Sequence, residues 1–110
     1  MAITIHICYR KEPGEPRKFA EEMVSSGVVE AIHREPGNLQ YEYFFPMEDR
    51  GTVLLIDSWA DLGAIDAHHA SPMMGQIAAL REKYDLHMRV ERYVPDTEGL
   101  PPSDAAFVRT

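Results

Sequence analysis

Two adjacent histidines, His68 and His69, are the residues of this sequence best suited to proton transfer. Near neutral pH an imidazole accepts a proton from a phenol or an enol, or holds a carbonyl oxygen. In a helix over residues 61–70, an advance of about 100° per residue places His69 beside Leu62 and Ile65, on the apolar side. His68 then lies at the flank of that stripe. The helical pattern alone favours His69 as the inward residue, and packing or capping is an equally good interpretation of either histidine.

An acid and two aromatic residues precede the histidines. Asp57 and Trp59 are two residues apart, so in a strand both side chains point to one side. Trp59 offers a flat wall for a ligand ring and an indole N–H for a ligand oxygen, although core filling is its commoner role. Asp57 needs a partner on an apolar strand: Arg89 or Arg92 as structure, which we favour, or a histidine as chemistry. Tyr41 belongs to an aromatic block that is more typical of a core or an interface.

No cofactor is predicted from the remaining residues. The histidines and acids show neither the H-E-x-x-H spacing nor a facial triad, so we expect no bound metal. There is no glycine-rich phosphate loop, so we expect no nucleotide or flavin. Cys8, the single cysteine, is expected to be a small buried hydrophobe, and a lone cysteine fits a reducing compartment.

The composition excludes several classes of partner. The chain has 110 residues, which favours one domain, and a formal net charge of −7. This charge repels phosphate backbones, so we expect neither nucleic acid nor an anionic membrane surface as a partner. No apolar run approaches the roughly 20 residues of a membrane span, and the N-terminus has no signal-peptide pattern. We therefore expect a cytoplasmic protein.

Hydrophobic periodicity predicts an α+β fold. Alternation indicates strands over residues 2–10, 38–46, 52–59 and 86–94. Helical spacing indicates helices over 16–34, with a break at Ser25-Ser26-Gly27, over 61–70 with Asp61 as its cap, and after Ser71-Pro72. The order β-α-β-β-α-α-β is the ferredoxin-like split β-α-β pattern, with a four-stranded antiparallel sheet. Residues 1–95 form this domain and residues 96–110 form a C-terminal tail.

The predicted sheet needs cover on both faces. The run Val53-Leu54-Leu55-Ile56 is apolar on both sides, whereas the helices cover only one. A second copy of the sheet is the simplest cover, so we expect a two-fold symmetric homodimer. Disorder is the plain interpretation of the acidic, proline-rich tail. However, Phe107 and Val108 end an apolar stretch within extended reach of a partner subunit, and we expect the tail to be ordered across that partner.

Three ordered segments resemble the antibiotic biosynthesis monooxygenase family. They are E-P-G-N-L-Q-Y at 35–41, Asp57-Ser58-Trp59, and Ala67-His68, with nine residues from the tryptophan to the histidine. In that family an E-P-G segment leads into the second strand, an acid-x-Trp unit closes the third, and an Ala-His pair lies on the following helix. The resemblance covers about residues 3–94. It implies a dimeric α+β barrel, and its motif matches His68 rather than His69.

The resemblance also implies an activity. The family includes quinol and polyketide-anthrone monooxygenases. For this chain we expect an oxygenase that needs no cofactor, in which a deprotonated quinol or enol passes an electron directly to dioxygen. The resemblance implies a monooxygenase of a small aromatic or quinol-like molecule, with His68 as the base. The expected substrate-binding residues are Trp59, Asp57, His69 and Tyr41. Two alternatives stay open: an isomerase of a small keto compound, and a non-catalytic dimeric ligand-binding protein.

The sequence departs from three branches of the family. The polyketide oxygenases carry an asparagine four residues before the tryptophan and a tyrosine six after it, where this chain has Leu55 and Ile65. Many quinol monooxygenase relatives carry a histidine where this chain has Met73. The histidine and asparagine pattern of the haem-degrading branch is also missing. The resemblance therefore does not extend to anthrone oxidation or to haem breakdown.

Overall fold

Four antiparallel strands form one sheet, as the periodicity predicts. The computed structural model describes residues 1–110. The strands are β1 (Ile3–Tyr9), β2 (Asn38–Phe44), β3 (Val53–Trp59) and β4 (Met88–Tyr93), in the spatial order β2-β3-β1-β4. The helices are α1 (Pro16–Ser25), α2 (Val28–His33), α3 (Leu62–His69), α4 (Met73–Lys83) and α5 (Pro102–Ala105). This is the predicted α+β, ferredoxin-like fold.

The expected helix signals appear at the expected places. Gly27 separates α1 from α2 with a left-handed φ of 85°, which glycine adopts without steric cost. Asp61 caps α3, since its carboxylate accepts a hydrogen bond of 2.8 Å from the Ala64 backbone N–H. The tail contains one short helical turn, α5, whose residues are all exposed. No helix is both long enough and apolar enough to cross a membrane.

One face of the sheet carries the core and the candidate site. Residues that alternate along each strand face the helices, and among them Tyr9, Leu55 and Trp59 are completely buried. The pairing of the strands aligns one row of side chains across this face: Tyr41, Asp57, Ile5 and Arg92. The row places an acid from the middle of the sheet and an arginine from its edge on the same side as α3 and α4.

The opposite face of the sheet has no helix on it. Leu54 and Ile56 point to this side and are half-buried, and Phe44 is exposed. Cys8 also lies here and is only half-buried. The expectation that Cys8 is a buried hydrophobe is therefore wrong for the single chain, because its position in β1 directs it away from the helices.

Gly37 allows the turn before β2 to contact α3. Its φ is +83°, and a Cβ added there would lie 2.6 Å from the Cβ of Ala64. Gly27 has nearly the same φ, +85°, but no atom within 4 Å of an added Cβ. The two glycines therefore share a backbone requirement and differ in their surroundings.

We expect Gly27→Ala to lower the free energy of unfolding by about 1–2 kcal/mol, the cost of a left-handed backbone with a Cβ. Gly37→Ala should cost clearly more, because the clash with Ala64 is added to that strain. Urea denaturation of both variants measures the difference. Equal losses of unfolding free energy in the two variants would show that the turn at Gly37 is not in close contact with α3.

Candidate functional site

A cavity of about 260 Å³ lies between the sheet and helices α3 and α4. Half of its lining is apolar: Ile5, Ile7, Ile65, Met74, Ile77 and Val90. The other half is titratable: Tyr41, Asp57, His68, His69, Arg81 and Arg92. A larger and more open groove, about 630 Å³, lies on the other side of α3 and is bordered by Glu35, Gly37 and Ser71 among others. The inner cavity is the candidate site, because most of the predicted site residues meet there.

Glu35 holds His68 in place. The imidazole Nδ1 lies 3.0 Å and 3.1 Å from the two carboxylate oxygens of Glu35. An ionised carboxylate only accepts hydrogen bonds, so Nδ1 carries the proton in the neutral imidazole and donates it to Glu35. Nε2, the other ring nitrogen, has no hydrogen-bond partner in the protein and is the nitrogen available to a molecule in the cavity.

The burial of the two histidines is the reverse of what the helical pattern favours. His68 is 3% exposed, whereas His69 is exposed at the cavity's edge. The inward assignment of His69 is therefore wrong, and the family motif, which selects His68, agrees with the structure. The physical reason lies at the start of α3: Leu62, counted as part of the apolar stripe, is 52% exposed.

Trp59 lies behind His68 rather than in the cavity. Its ring centroid is 4.7 Å from that of His68, with 31° between the ring planes, and it has no exposed surface. Its indole N–H is donated to the Asp57 carboxylate at 2.5 Å. The indole therefore supports the histidine, and the N–H suggested for a ligand oxygen is already used.

Asp57 has a different partner from the one expected. It pairs with neither Arg89 nor Arg92: Arg89 points to the opposite face and contacts Glu91 at 3.3 Å, and Arg92 lines the cavity without an ion pair. Burial raises the pKa of Asp57, while the Trp59 N–H and the nearby histidines oppose the shift. The carboxyl therefore holds a proton to higher pH than an exposed aspartate does.

Tyr41 reaches the cavity from β2. Its side chain is 2% exposed, and its ring contacts His68 edge-on at a centroid distance of 6.4 Å. Burial raises the pKa of the Tyr41 hydroxyl, so it remains protonated at physiological pH. The phenol can therefore act as a neutral donor and not as a base.

Glu35 and Arg81 were not predicted as site residues, and Arg92 was expected only as a structural partner of Asp57. Glu35 entered the sequence analysis only as a letter of the E-P-G motif, because its contact with His68 spans 33 residues. Arg81 was not singled out, although it lies four residues after Ile77 and therefore on the same helical face. Its guanidinium donates to the Tyr9 hydroxyl at 3.0 Å.

The sequence pattern that defines the antibiotic biosynthesis monooxygenase (ABM) family matches residues 2–80, most of the chain. The chain belongs to the ABM family. Residues 2–80 contain all three segments on which the resemblance rests. No curated protein matches this ABM chain.

Solved structures share its fold at low sequence identity. SnoaB from Streptomyces nogalater, described as a cofactor-independent oxygenase, is 14% identical with a TM-score of 0.71, over 87% of this chain and 94% of SnoaB. A conserved protein from Methanosarcina mazei Go1 is 21% identical with a TM-score of 0.71, over 87% and 94% of the two chains. PA3566 from Pseudomonas aeruginosa is 18% identical with a TM-score of 0.72, over 87% and 95%. These similarities establish the ABM fold of the chain.

The raised pKa of Asp57 gives a pH-dependent stability. A folded-state pKa above the unfolded value, which is 3.8, means that the folded protein binds this proton more tightly. The contribution of Asp57 is therefore fully present below that value and is lost as the pH rises through the folded-state pKa. Asp57→Asn retains an acceptor for Trp59 but cannot ionise. We expect the stability of Asp57→Asn relative to wild type to increase as the pH rises from about 4 to 7.

Thermal unfolding of both proteins across that pH range measures this difference. Asp66→Asn, on the exposed surface of α3, is the control and should show no such trend. A constant difference between Asp57→Asn and wild type would contradict the effect of burial on Asp57.

Proposed function

We propose that this ABM-family chain is a cofactor-independent monooxygenase that oxidises a small aromatic or quinol-like substrate with dioxygen. The observation that carries the proposal is the Glu35–His68 pair, which leaves one imidazole nitrogen free at the edge of a small cavity whose lining is half apolar. A buried histidine held by a carboxylate is an oriented general base. The fold shared with SnoaB, described as a cofactor-independent oxygenase, supports a reaction without a cofactor.

The proposed reaction begins with proton transfer from the substrate to His68 Nε2. The resulting anion gives one electron to dioxygen, and the substrate radical and superoxide then combine to form a C–O bond. The peroxide takes up the proton held by His68, and loss of water leaves a carbonyl on the substrate. One O₂ and two substrate hydrogens thus yield one new C=O group and one water.

The cavity is suited to this reaction because it limits access of water to the reacting anion. Ile65 and Ile77 are almost fully buried at its wall, and Ile5 forms part of its floor. A low-polarity site strengthens the electrostatic interactions of the anion with the donors around it. The substrate then contacts Tyr41, His69 and the apolar side chains of the lining. Trp59 and Asp57 hold His68 in position from the side of the sheet.

Oxygen uptake with a panel of hydroquinones and hydroxynaphthalenes tests the proposed reaction. We expect uptake that requires the protein, continues without added metal or flavin, and yields one quinone carbonyl per O₂. Turnover of a keto compound under anaerobic conditions would instead identify an isomerase. Binding of these compounds without turnover would identify a ligand-binding protein.

We expect His68→Ala to lower kcat for such a substrate by about 10²–10⁴-fold, the usual contribution of a general base. Glu35→Gln should lower kcat by about tenfold or more, because Nδ1 loses its charged acceptor. Asp66→Ala, exposed on the same helix and outside the cavity, is the matched control, and kcat should remain within about threefold. The assay is oxygen uptake under saturating substrate.

The stability of the His68 variant needs its own measurement. His68 is buried, although the helical pattern places it at the flank of the apolar stripe. Removing it leaves Glu35 without a partner, and we expect a loss of about 1–3 kcal/mol in unfolding free energy. Retained activity together with this loss of stability would show that His68 is purely structural.

We also propose that the chain is a homodimer whose sheets pack face to face. The open face of the sheet presents half-buried Leu54 and Ile56 beside exposed Phe44, which is unusual for a monomer. We propose that the tail, residues 96–110, crosses onto the partner subunit. Phe107 is 85% exposed within the single chain, so a partner is the surface on which it can be buried.

Light scattering should show a dimer at micromolar concentration, and truncation after Pro95 should raise the dimer dissociation constant. A second variant, Phe107→Ser in the full chain, should also raise the dimer dissociation constant. A stable monomer would contradict the sheet contact. An unchanged dissociation constant in both variants would contradict the role of the tail.

We finally propose a cytoplasmic location. Cys8 is a free thiol and is only half-buried. A partly accessible free thiol fits a reducing compartment.

A further inference from the structure

Two arginines line the cavity without an acidic partner. Arg81 donates from Nη2 to the Tyr9 hydroxyl, and its buried Nε has no hydrogen-bond partner. Arg92 makes no ion pair and no side-chain hydrogen bond with the rest of the chain, and its guanidinium is exposed at the same cavity. The chain carries 18 acidic residues against 11 lysines and arginines, yet neither arginine forms an ion pair with any of its carboxylates. The partly buried guanidinium of Arg81 is of the kind that ordinarily meets an anion, whereas Arg92 is exposed and free to bind one.

The only acidic side chain of the cavity does not pair with Arg92. Asp57 is its one acidic lining residue, and that carboxyl is bound by the Trp59 N–H. In the aligned row across the sheet, Ile5 lies between Asp57 and Arg92. Two strand spacings, roughly 10 Å, therefore separate the backbones of the acid and the arginine. The histidines and Asp57 belong to α3 and β3, and the two arginines belong to α4 and β4. The guanidinium of Arg81 nevertheless lies close enough to Asp57 to oppose the effect of burial on the pKa of that carboxyl.

Arg81 is also separated from the histidines along the length of helix α4. His69 ends α3, and Met74 follows it after a short connection to line the same cavity. From Met74 to Arg81 a helix rises about 10 Å. A substituted aromatic ring is therefore long enough to contact both His68 and the arginines.

We propose that Arg81 and Arg92 bind a carboxylate of the substrate, so that the substrates are hydroxylated aromatic or enolic carboxylic acids. The carboxylate binds at these two lining arginines, because a guanidinium can donate two parallel N–H groups to its oxygens. The ring spans the apolar middle of the cavity, and the group that loses a proton lies at His68. The binding step needs only the arginines, whereas the reaction at His68 rests on the function proposed above.

A matched pair of probes tests the binding step directly. 2,5-Dihydroxybenzoate and 2,5-dihydroxybenzamide have nearly the same shape and differ in charge. Isothermal titration of the full-length protein at neutral pH should give a dissociation constant at least about tenfold lower for the benzoate than for the amide. Because the attraction is ionic, the preference should decrease as salt is raised.

Three variants show which arginines cause the preference for the benzoate over the amide. Arg92→Met removes a side chain without bonds in the free protein, so it leaves the fold intact and should remove most of the preference for benzoate. Arg81→Met should do the same, with a thermal unfolding scan as its check because Tyr9 loses a donor. Arg89→Met changes the same strand on the opposite face and should leave the preference unchanged.

Equal affinity for the benzoate and the amide would overturn the proposal, and so would an equal loss of preference in Arg89→Met and Arg92→Met. Hydroquinone could instead bind more tightly as its phenol ionises, with no preference for the benzoate. This result would show that the arginines serve only the reacting anion, and it would also overturn the proposal. Selective benzoate binding without oxygen uptake would support the carboxylate site while contradicting the monooxygenase.

Discussion

The arrangement of the site depends on one hydrogen bond, between the carboxylate of Glu35 and Nδ1 of His68. It joins the turn before β2 to the last turn of α3, two segments that are 33 residues apart. The bond is possible because Gly37 lies against Ala64 without a side chain between them, and because the Gly37 carbonyl accepts the Ala60 N–H at 2.8 Å. The E-P-G turn is thereby fixed against α3, with Glu35 directly at the ring of His68.

The sheet supports the same histidine from the other side. Trp59 stacks on His68, and the indole is fixed by Asp57 two residues earlier in β3. Two rings in contact are thus each anchored by a separate carboxylate, Trp59 by Asp57 and His68 by Glu35. Because neither ring can turn without losing a buried hydrogen bond, Nε2 of His68 has a defined direction. This is the property that a general base requires and that a histidine which only fills space does not need.

Much of this structure follows from local sequence signals. Alternation located all four strands within two residues at each end, and Gly27 and Asp61 marked the break after α1 and the start of α3. These features depend on a few neighbouring residues, so a single sequence contains them. The side of α3 that faces inward was not predictable in this way, because two helical turns provide little angular information and Leu62 is exposed at the first of them.

The contacts that create the site were the least predictable. The partner of Asp57 was expected among the arginines of the last strand, whereas the short-range partner Trp59 was available on the same strand face. The roles of Glu35 and Arg81 depend on contacts across 33 and 72 residues, and no local pattern encodes such distances. The family motif carried the Glu35 and His68 positions together, and the structure shows the physical reason: the two side chains form one hydrogen-bonded unit.

Glu35 fixes the tautomer of His68 and leaves Nε2 as the free nitrogen. Nitrogen-15 NMR of histidine-labelled protein measures this directly, with His68→Gln used to assign the signals. For the neutral ring we expect a protonated Nδ1 and an unprotonated Nε2, and Glu35→Gln should weaken this preference. A proton on Nε2 of the neutral His68 ring, unaffected by Glu35→Gln, would contradict the account.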